Sequence, residues 1–242
     1  MIVLFTDFGL EGPYTGQAAA VLQQAAPAVP VISLFADLAP GQVEPAAYLL
    51  AAYAEWFPAG TVLLCVVDPG VGSDRRALII EADGRFYVGP DNGLFEIVLR
   101  RAAHAAIWQI TWRPPALSAS FHGRDLFAPV TAKLAQGEPP AAAAAPAQAT
   151  RSPDWPDDLA EIVYVDRYGN GLTGLRGEVV AASAHLFVGG QSVAHADTFS
   201  AVPPGTAFWY VNSNGLVEIA ANQGRADRQL GLAVGAAVTI IK

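Results

Sequence analysis

Asp68, Arg75 and Arg76 lie within VDPGVGSDRR at 67–76, which sets an acid, a glycine-rich turn and two guanidinium groups at the end of the apolar run TVLLCVV. An open α/β sheet presents its chemistry at the carboxyl ends of such runs. Gly70 and Gly72 let the backbone approach a ligand closely. Either arginine can fold back to pair with Asp68 and leave its charge aimed at a pocket; the alternative is that Asp-Pro-Gly is only a turn. Asp7, in TDFG at 6–9, follows the run IVLF, so its carboxylate can accept both hydrogen bonds of a ribose diol. It can equally cap the next turn. His122 stands in SFHGRD at 120–125, just ahead of the helix-like DLFAPVTAKLAQG, whereas His104, His185 and His195 lie in less organised surroundings. These three polar clusters, each adjoining an apolar segment, point to an enzyme.

Other chemistries lack their residues. The DFG at 7–9 is not a protein-kinase signature, because the glycine-rich loop, strand lysine and HRD segment that must precede it have no room upstream. There is no HExxH, CxxC or clustered His/Asp spacing, so no metal is expected. Without GxxxxGKS or GxGxxG, no nucleotide phosphate and no cofactor is expected either.

The elements that must carry these clusters divide the chain in two. Up to residue 136, runs rich in Val, Ile and Leu (2–5, 29–35, 61–67, 77–82) alternate with longer helical patterns, the βαβ rhythm of a mostly parallel sheet in an α/β sandwich. Crossover helices are predicted over 43–57, with Glu-Pro in the first turn, and over 92–102, closing on Arg100 and Arg101. Residues 137–157 interleave prolines with an alanine tract, which forbids a continuous helix and reads as a linker. From 158 to 242 short runs between glycine turns predict an antiparallel β-barrel domain. There, VDRYGNGLTG at 165–174 gathers Asp166, Tyr168 and Asn170, and VNSNG at 211–215 gathers Asn212, Ser213 and Asn214. Asn-rich turns are usually just turns.

Composition narrows the partners. Hydrophobic residues make up 52% and charged residues 15%, which suits a large core and apolar surface hidden between subunits. The formal net charge is −8 and only Lys133 and Lys242 are lysines, so no basic stripe exists for nucleic acid or anionic lipid, while a cationic small ligand is tolerated. The single Cys65 sits in an apolar run and precludes a disulfide framework, and the opening MIVLF stops at Thr6-Asp7 well short of a membrane span, so a cytoplasmic protein is expected.

Taken in order, TDFG, PYTG at 13–16, VDPGVGSDRR, VGPDNGLF at 88–95, SFHGRD, VDRYGNGLTG and VNSNGLVEIAANQG at 211–224 resemble the SAM hydroxide adenosyltransferases, the adenosine-forming SAM hydrolases related to the SAM-dependent fluorinase and chlorinase. The likeness runs through nearly the whole chain. It implies an α/β domain joined to a β-barrel, a homotrimer, and a site between one subunit's first domain and its neighbour's second. It implies S-adenosyl-L-methionine as the substrate, with Asp68, Arg75 and His122 activating water and Asp7 holding the ribose. In the second domain it implies Asp166 near the methionine amino group, Tyr168 and Phe199 flanking adenine, Asn170 beside adenine, and Ser213, with Asn214 in the same turn, at the methionine carboxylate. Where many members carry an aspartate this chain has Gly12, with Glu11 beside it as a substitute, and the usual DxTH segment is SLFA at 33–36.

The implied reaction is attack on ribose C5′ with neutral methionine leaving from the sulfonium, so orientation lowers most of the barrier. Water, with a pKa of about 15.7, needs help that no single carboxylate can give: Arg75 stabilises developing hydroxide, Asp68 orients it and neutralises the arginine, and His122 bonds the water or relays its proton. Rival readings are a SAM-dependent halogenase, disfavoured because the halogenases carry tyrosine at the position of Asp68, a protein that binds SAM or adenosine without turnover, and a generic α/β protein whose polar turns are only turns.

Overall fold

The computed structural model describes residues 1–146 and 149–241. In it the runs IVLFT and VLLCV are buried at every residue, the mark of strands covered on both faces. They become β1 (Ile2–Thr6) and β3 (Val62–Val66), paired in parallel, with β2 (Val31–Phe35) on the other side of β1. Beyond β3 come β5 (Arg85–Pro90), β4 (Ala77–Ala82), β6 (Ala105–Ile110) and β7 (Ala142–Ala144), giving the order β2-β1-β3-β5-β4-β6-β7.

This sheet is mixed, a departure from the mostly parallel expectation. Pairing is parallel from β2 to β5 and antiparallel from β5 through β4 and β6 to β7. The cause is local: Asp83 and Gly84 both adopt positive φ, 47° and 78°, as a two-residue type I′ hairpin requires, so β4 turns straight back into β5. The Asp-Gly pair was the available signal.

Helices α1 (Tyr14–Ala25), α2 (Val43–Ala54), α3 (Glu96–Arg101) and α4 (Ala128–Ala135) accompany this sheet. The third starts later than the predicted 92–102 because Asn92 spends its side chain on a turn, donating to Val67 O at 2.8 Å and accepting from Leu94 N at 3.3 Å. Leu22, Leu64, Ile79, Val88 and Phe127 fill a core between α1, α4 and the sheet.

The chain separates into two units, Met1–Ala51 with Phe57–Ser152, and Ala52–Trp56 with Pro153–Lys242. The stretch 137–157 read as a linker supplies β7 to the first unit before the division at Ser152; its residues 147 and 148 lie outside the described residues.

The second unit is built on β8 (Leu159–Val165), β9 (Gly171–Arg176), β10 (His185–Val188), β11 (Gln191–His195), β12 (Ala207–Val211), β13 (Leu216–Ala221) and β14 (Thr239–Ile241), in the order β14-β10-β11-β12-β13-β9-β8, with the short helix α5 (Ala226–Leu230). It too is mixed: every pairing is antiparallel except β11 with β12, which are parallel because residues 196–206 cross over between them. The sheet curls, and Glu161 bridges to Ala237 just before β14. Trp209, 1% exposed, anchors its core and donates its indole N–H to Ala184 O at 3.0 Å. No helix among the described residues is long and apolar enough to cross a membrane.

Candidate active site

The strand order decides what meets at the carboxyl edge of the first sheet. The chain leaves β1 and β3 as neighbours, in the register Thr6↔Val66, with β2 and β5 on their outer sides. This is the switch point where α/β sheets open a crevice. Asp7 is the next residue after β1 and Asp68 follows β3 by two, so both carboxylates reach one cleft of about 80 Å³, also lined by Phe8, Ser120, Phe121 and His122.

His122 arrives from the far end of the unit. It precedes a π-helical turn, Gly123–Phe127, that runs into α4, and α4 packs on α1, β1 and β3. That packing holds the start of the helix over the carboxyl ends of the strands. The approach is close: a Cβ on Gly123 would stand 2.6 Å from the Phe8 ring. Asp125 ties the preceding loop by accepting Ser118 N at 2.9 Å, and Arg124 pairs with it through Nε at 2.6 Å.

Arg75 joins the pieces. Its Nε donates to Asp68 Oδ1 at 2.7 Å and Oδ2 at 2.9 Å, its Nη2 pairs with Asp68 Oδ2, and the same Nη2 lies 3.2 Å from His122 Nδ1. The Asp68 and Arg75 side chains are 5% and 9% exposed. The guanidinium carbon stands 5.3 Å over the Phe127 ring. Arg76, the other arginine of the motif, turns away to Asp91 at 2.6 Å. Gly72, at φ +83°, is required because a Cβ there would stand 2.6 Å from Ala119 O. The 68–75 loop thus lies directly on the loop that carries His122.

The titrations follow from these neighbours. Burial, aided by the nearby Asp68 charge, raises the Asp7 carboxyl against the lowering pull of the Gly41 N–H, which donates to Asp7 Oδ2 at 2.9 Å. Burial and then the Arg75 charge lower the His122 pKa. Two carboxylates therefore share the cleft with one cation already spent on Asp68, a balance that suits a cationic ligand. Behind His122 and Arg75 a second cavity, of about 450 Å³, is lined also by Ser73, Arg113 and Leu117.

In the second unit Asp166, Tyr168, Asn170 and Phe199 line one pocket of about 670 Å³ together with Tyr210, Glu218 and Arg225. Asp166 organises its turn, accepting Asn170 N at 2.8 Å and Asn170 Nδ2 at 3.1 Å. Phe199 packs edge-on against Phe208 and Tyr210, while Tyr168 is 76% exposed. Ser213 and Asn214 do not reach the lining; they occupy the turn beside it, with Asn214 N donating to Asn212 Oδ1 at 2.9 Å.

Sequence reasoning missed Phe8, Ser120, Tyr210 and Glu218. Tyr210 shares a strand face with Phe208 by simple alternation, and Glu218 is the lone charge in LVEIAA, so both had signals. At the two departures from the family pattern, Gly12 adopts φ +101°, which disfavours an aspartate, and Phe35 of SLFA packs against Phe5 at 5.4 Å as plain core. Glu11 is exposed. Among the described residues no three His, Cys, Asp or Glu side chains gather as a metal would need.

The family model for the SAM hydroxide adenosyltransferase N-terminal domain matches residues 2–145, and that for the C-terminal domain matches 160–239. A Thermus thermophilus protein named (R)-S-adenosyl-L-methionine hydrolase is 39% identical, with 99% of each chain covered. Its namesake from Salinispora arenicola is 36% identical over 95% of this chain and 93% of that one. Among solved structures, an uncharacterised conserved protein of Thermotoga maritima superposes with a TM-score of 0.84 at 30% identity, covering all of both chains. A conserved hypothetical protein of Thermus thermophilus gives 0.79 at 35%, covering 99% of each. Both halves of the chain match in order and the likeness spans its length; the protein belongs to the SAM hydroxide adenosyltransferase family.

Proposed function

We propose that this protein is a hydrolase that cleaves S-adenosyl-L-methionine to adenosine and L-methionine, by attack of an activated water on ribose C5′. The observation that carries this reading is the single arginine, Arg75, bonded at once to Asp68 and His122 in the cleft that Asp7 also lines. Relatives at 36% to 39% identity bear the name of that activity.

An arginine offers only N–H donors, so His122 Nδ1 accepts and the neutral ring carries its proton on Nε2. That makes Nε2 a donor able to orient the attacking oxygen, and it leaves Asp68 as the proton acceptor. The C5′–O bond forms as the C5′–S bond breaks, methionine departs neutral at sulfur, and the water's proton passes through Asp68 to solvent. Arg75 holds the developing negative charge from a side chain only 9% exposed, where such stabilisation is stronger than in water. Asp7, with Oδ2 engaged by Gly41, offers its other oxygen to the ribose diol.

In this reading residues 1–136 supply the chemistry and the ribose contact, and 158–242 the rest of the recognition, joined through 137–157. Asp166 and Asn170, with Ser213 and Asn214 in the adjoining turn, serve the methionine and adenine polar groups, and Tyr168 and Phe199 the adenine faces. The curled second sheet is a small barrel, for which the Glu161–Ala237 bridge speaks. A cleft of about 80 Å³ is too small for the whole substrate, since ligand sites hold roughly 300–1,000 Å³. In this reading the site is completed by a neighbouring copy's second-unit pocket, in a homotrimer, as the family resemblance implies. The few lysines and net charge of −8 favour a small cationic ligand over nucleic acid or an anionic membrane, and this reading places the protein in the cytoplasm.

Incubating the purified protein with each sulfonium epimer of SAM, with and without chloride or fluoride, and separating the products tests this. Adenosine and methionine at a rate indifferent to halide are expected. A 5′-halo-adenosine, or tight SAM binding with no product, overturns it. Mixing inactive Asp68→Asn and Asp166→Asn chains tests the shared site, because mixed oligomers regain activity only if the two residues come from different subunits.

A further inference from the structure

Glu218 is the one charged residue of β13, among the buried apolar Leu216, Val217, Ile219, Ala220 and Ala221, and is itself 6% exposed. A carboxylate in such surroundings is unfavourable unless its oxygens are satisfied. Both are. Oε1 accepts the Tyr210 hydroxyl at 2.6 Å, from the residue directly opposite on β12, and Oε2 accepts Asn212 Nδ2 at 2.9 Å.

Each donor is committed elsewhere in a way that matters to the pocket. The Tyr210 ring packs against Phe199 at 5.6 Å and Phe208 at 5.6 Å, forming the pocket's aromatic side. Burial and the bond to Glu218 raise the Tyr210 phenol's pKa, so it stays a donor at neutral pH. Asn212 turns its other end outward, and its Oδ1 accepts Asn214 N at 2.9 Å and Leu216 N at 3.1 Å, which shapes the turn bearing Ser213 and Asn214.

We infer that Glu218 is a positioning residue that locks the aromatic side of the second-unit pocket and the 212–215 turn into one piece. The surface offered to a flat ring and the polar turn offered to the far end of the same ligand are then set by one carboxylate. This rests on the reading of that pocket as the substrate-binding part of a SAM hydrolase. Because Glu218 acts through Tyr210 and Asn212 rather than on the reacting atoms, it governs binding more than chemistry.

The test exploits hydrogen-bond polarity. In Asn212→Asp the new carboxylate keeps both backbone bonds but meets Glu218 acceptor to acceptor, two like charges with no donor between them. The two side chains must then part, and the 212–215 turn moves off the aromatic side. The expected result is a KM for SAM raised at least about tenfold, the scale of one unsatisfied buried group, with a smaller change in kcat. Adding Glu218→Gln to Asn212→Asp supplies an amide that donates to the new carboxylate while its oxygen still accepts from Tyr210, so the double variant recovers most of the wild-type KM. A purely structural role would lower the melting temperature without this split or rescue. If the single variant does not fold, Tyr210→Phe carries the test, since it removes one donor and is expected to raise KM alone. An active wild type with unchanged KM in these folded variants, or no recovery in the double variant, overturns the inference. A wild type that releases no adenosine defeats the hydrolase reading itself, and the inference with it.

Discussion

Arg75 and His122, 47 positions apart, meet at 3.2 Å between Nη2 and Nδ1, and the same arginine nitrogen pairs with Asp68. The guanidinium fixes the histidine tautomer and neutralises the acid at once, so loss of Arg75 leaves the other two wrongly posed.

Asp68→Asn tests the acid. An amide cannot take a proton from water, and turnover is expected to fall at least ~10²-fold, the range of general acid–base groups. Both side chains of the pair are at most 9% exposed, so leaving the Arg75 charge without its counter-ion, with only the amide oxygen to accept from it, also costs about 1–3 kcal/mol of stability. Adenosine release and thermal unfolding read the two effects; near-wild-type turnover refutes the assignment.

Arg75→Lys keeps the charge but not the geometry. One ammonium cannot present the parallel donors that Arg75 gives Asp68 while also reaching His122. The expectation is a loss of kcat comparable to that of Asp68→Asn with KM little changed. Full activity in the lysine variant would show that charge alone suffices.

The pH dependence follows from the lowered His122 pKa. The working ring is neutral, so activity holds at neutral pH and falls on the acid side, at a midpoint below the ordinary 6.5. The linkage sign agrees: a histidine whose folded pKa is depressed adds no penalty above 6.5, and as pH falls below that value the unfolded chain takes up the proton first and stability drops. A pH–rate profile with its acid limb above 6.5 contradicts this, as does a limb unchanged in His122→Asn.

Asp7→Ala removes the proposed ribose acceptor without touching the Asp68–Arg75–His122 group. KM rises by tenfold or more, the scale of a charge-assisted hydrogen bond, and kcat changes less. A kcat loss as deep as that of Asp68→Asn would move Asp7 into the chemical step.

Gly72→Ala tests the loop contact. The added carbon enters at φ +83° and 2.6 Å from Ala119 O, so the 68–75 loop must lift from the loop carrying His122. Destabilisation of about 1–3 kcal/mol and a kcat loss without a matching KM rise are expected, by chemical denaturation and kinetics. Wild-type kcat would mean that Arg75 and His122 need not stay in register.

What the chain determines unaided is local. Unbroken apolar runs dictate buried strands at 2–6 and 62–66 and place Asp7 and Asp68 at their ends; the motif order carries the family; the Gly-rich loop marks close backbone approach. Prolines and alanines in 137–157 concealed an edge strand at 142–144, because propensity is weak where a neighbouring strand supplies the hydrogen bonds.

What the tertiary structure decides is adjacency. That β1 lies against β3 rather than β5, and that α4 packs over both, follows from covering two faces of one sheet, a long-range choice that no window of sequence contains. It brings residues 7, 68, 75 and 122 together, sends Arg76 to Asp91 and keeps Arg75 for the cleft. Glu218 makes the same point: in sequence it is a charge out of place in an apolar strand, and the pairing with β12 gives it Tyr210 directly opposite and makes a buried carboxylate tenable.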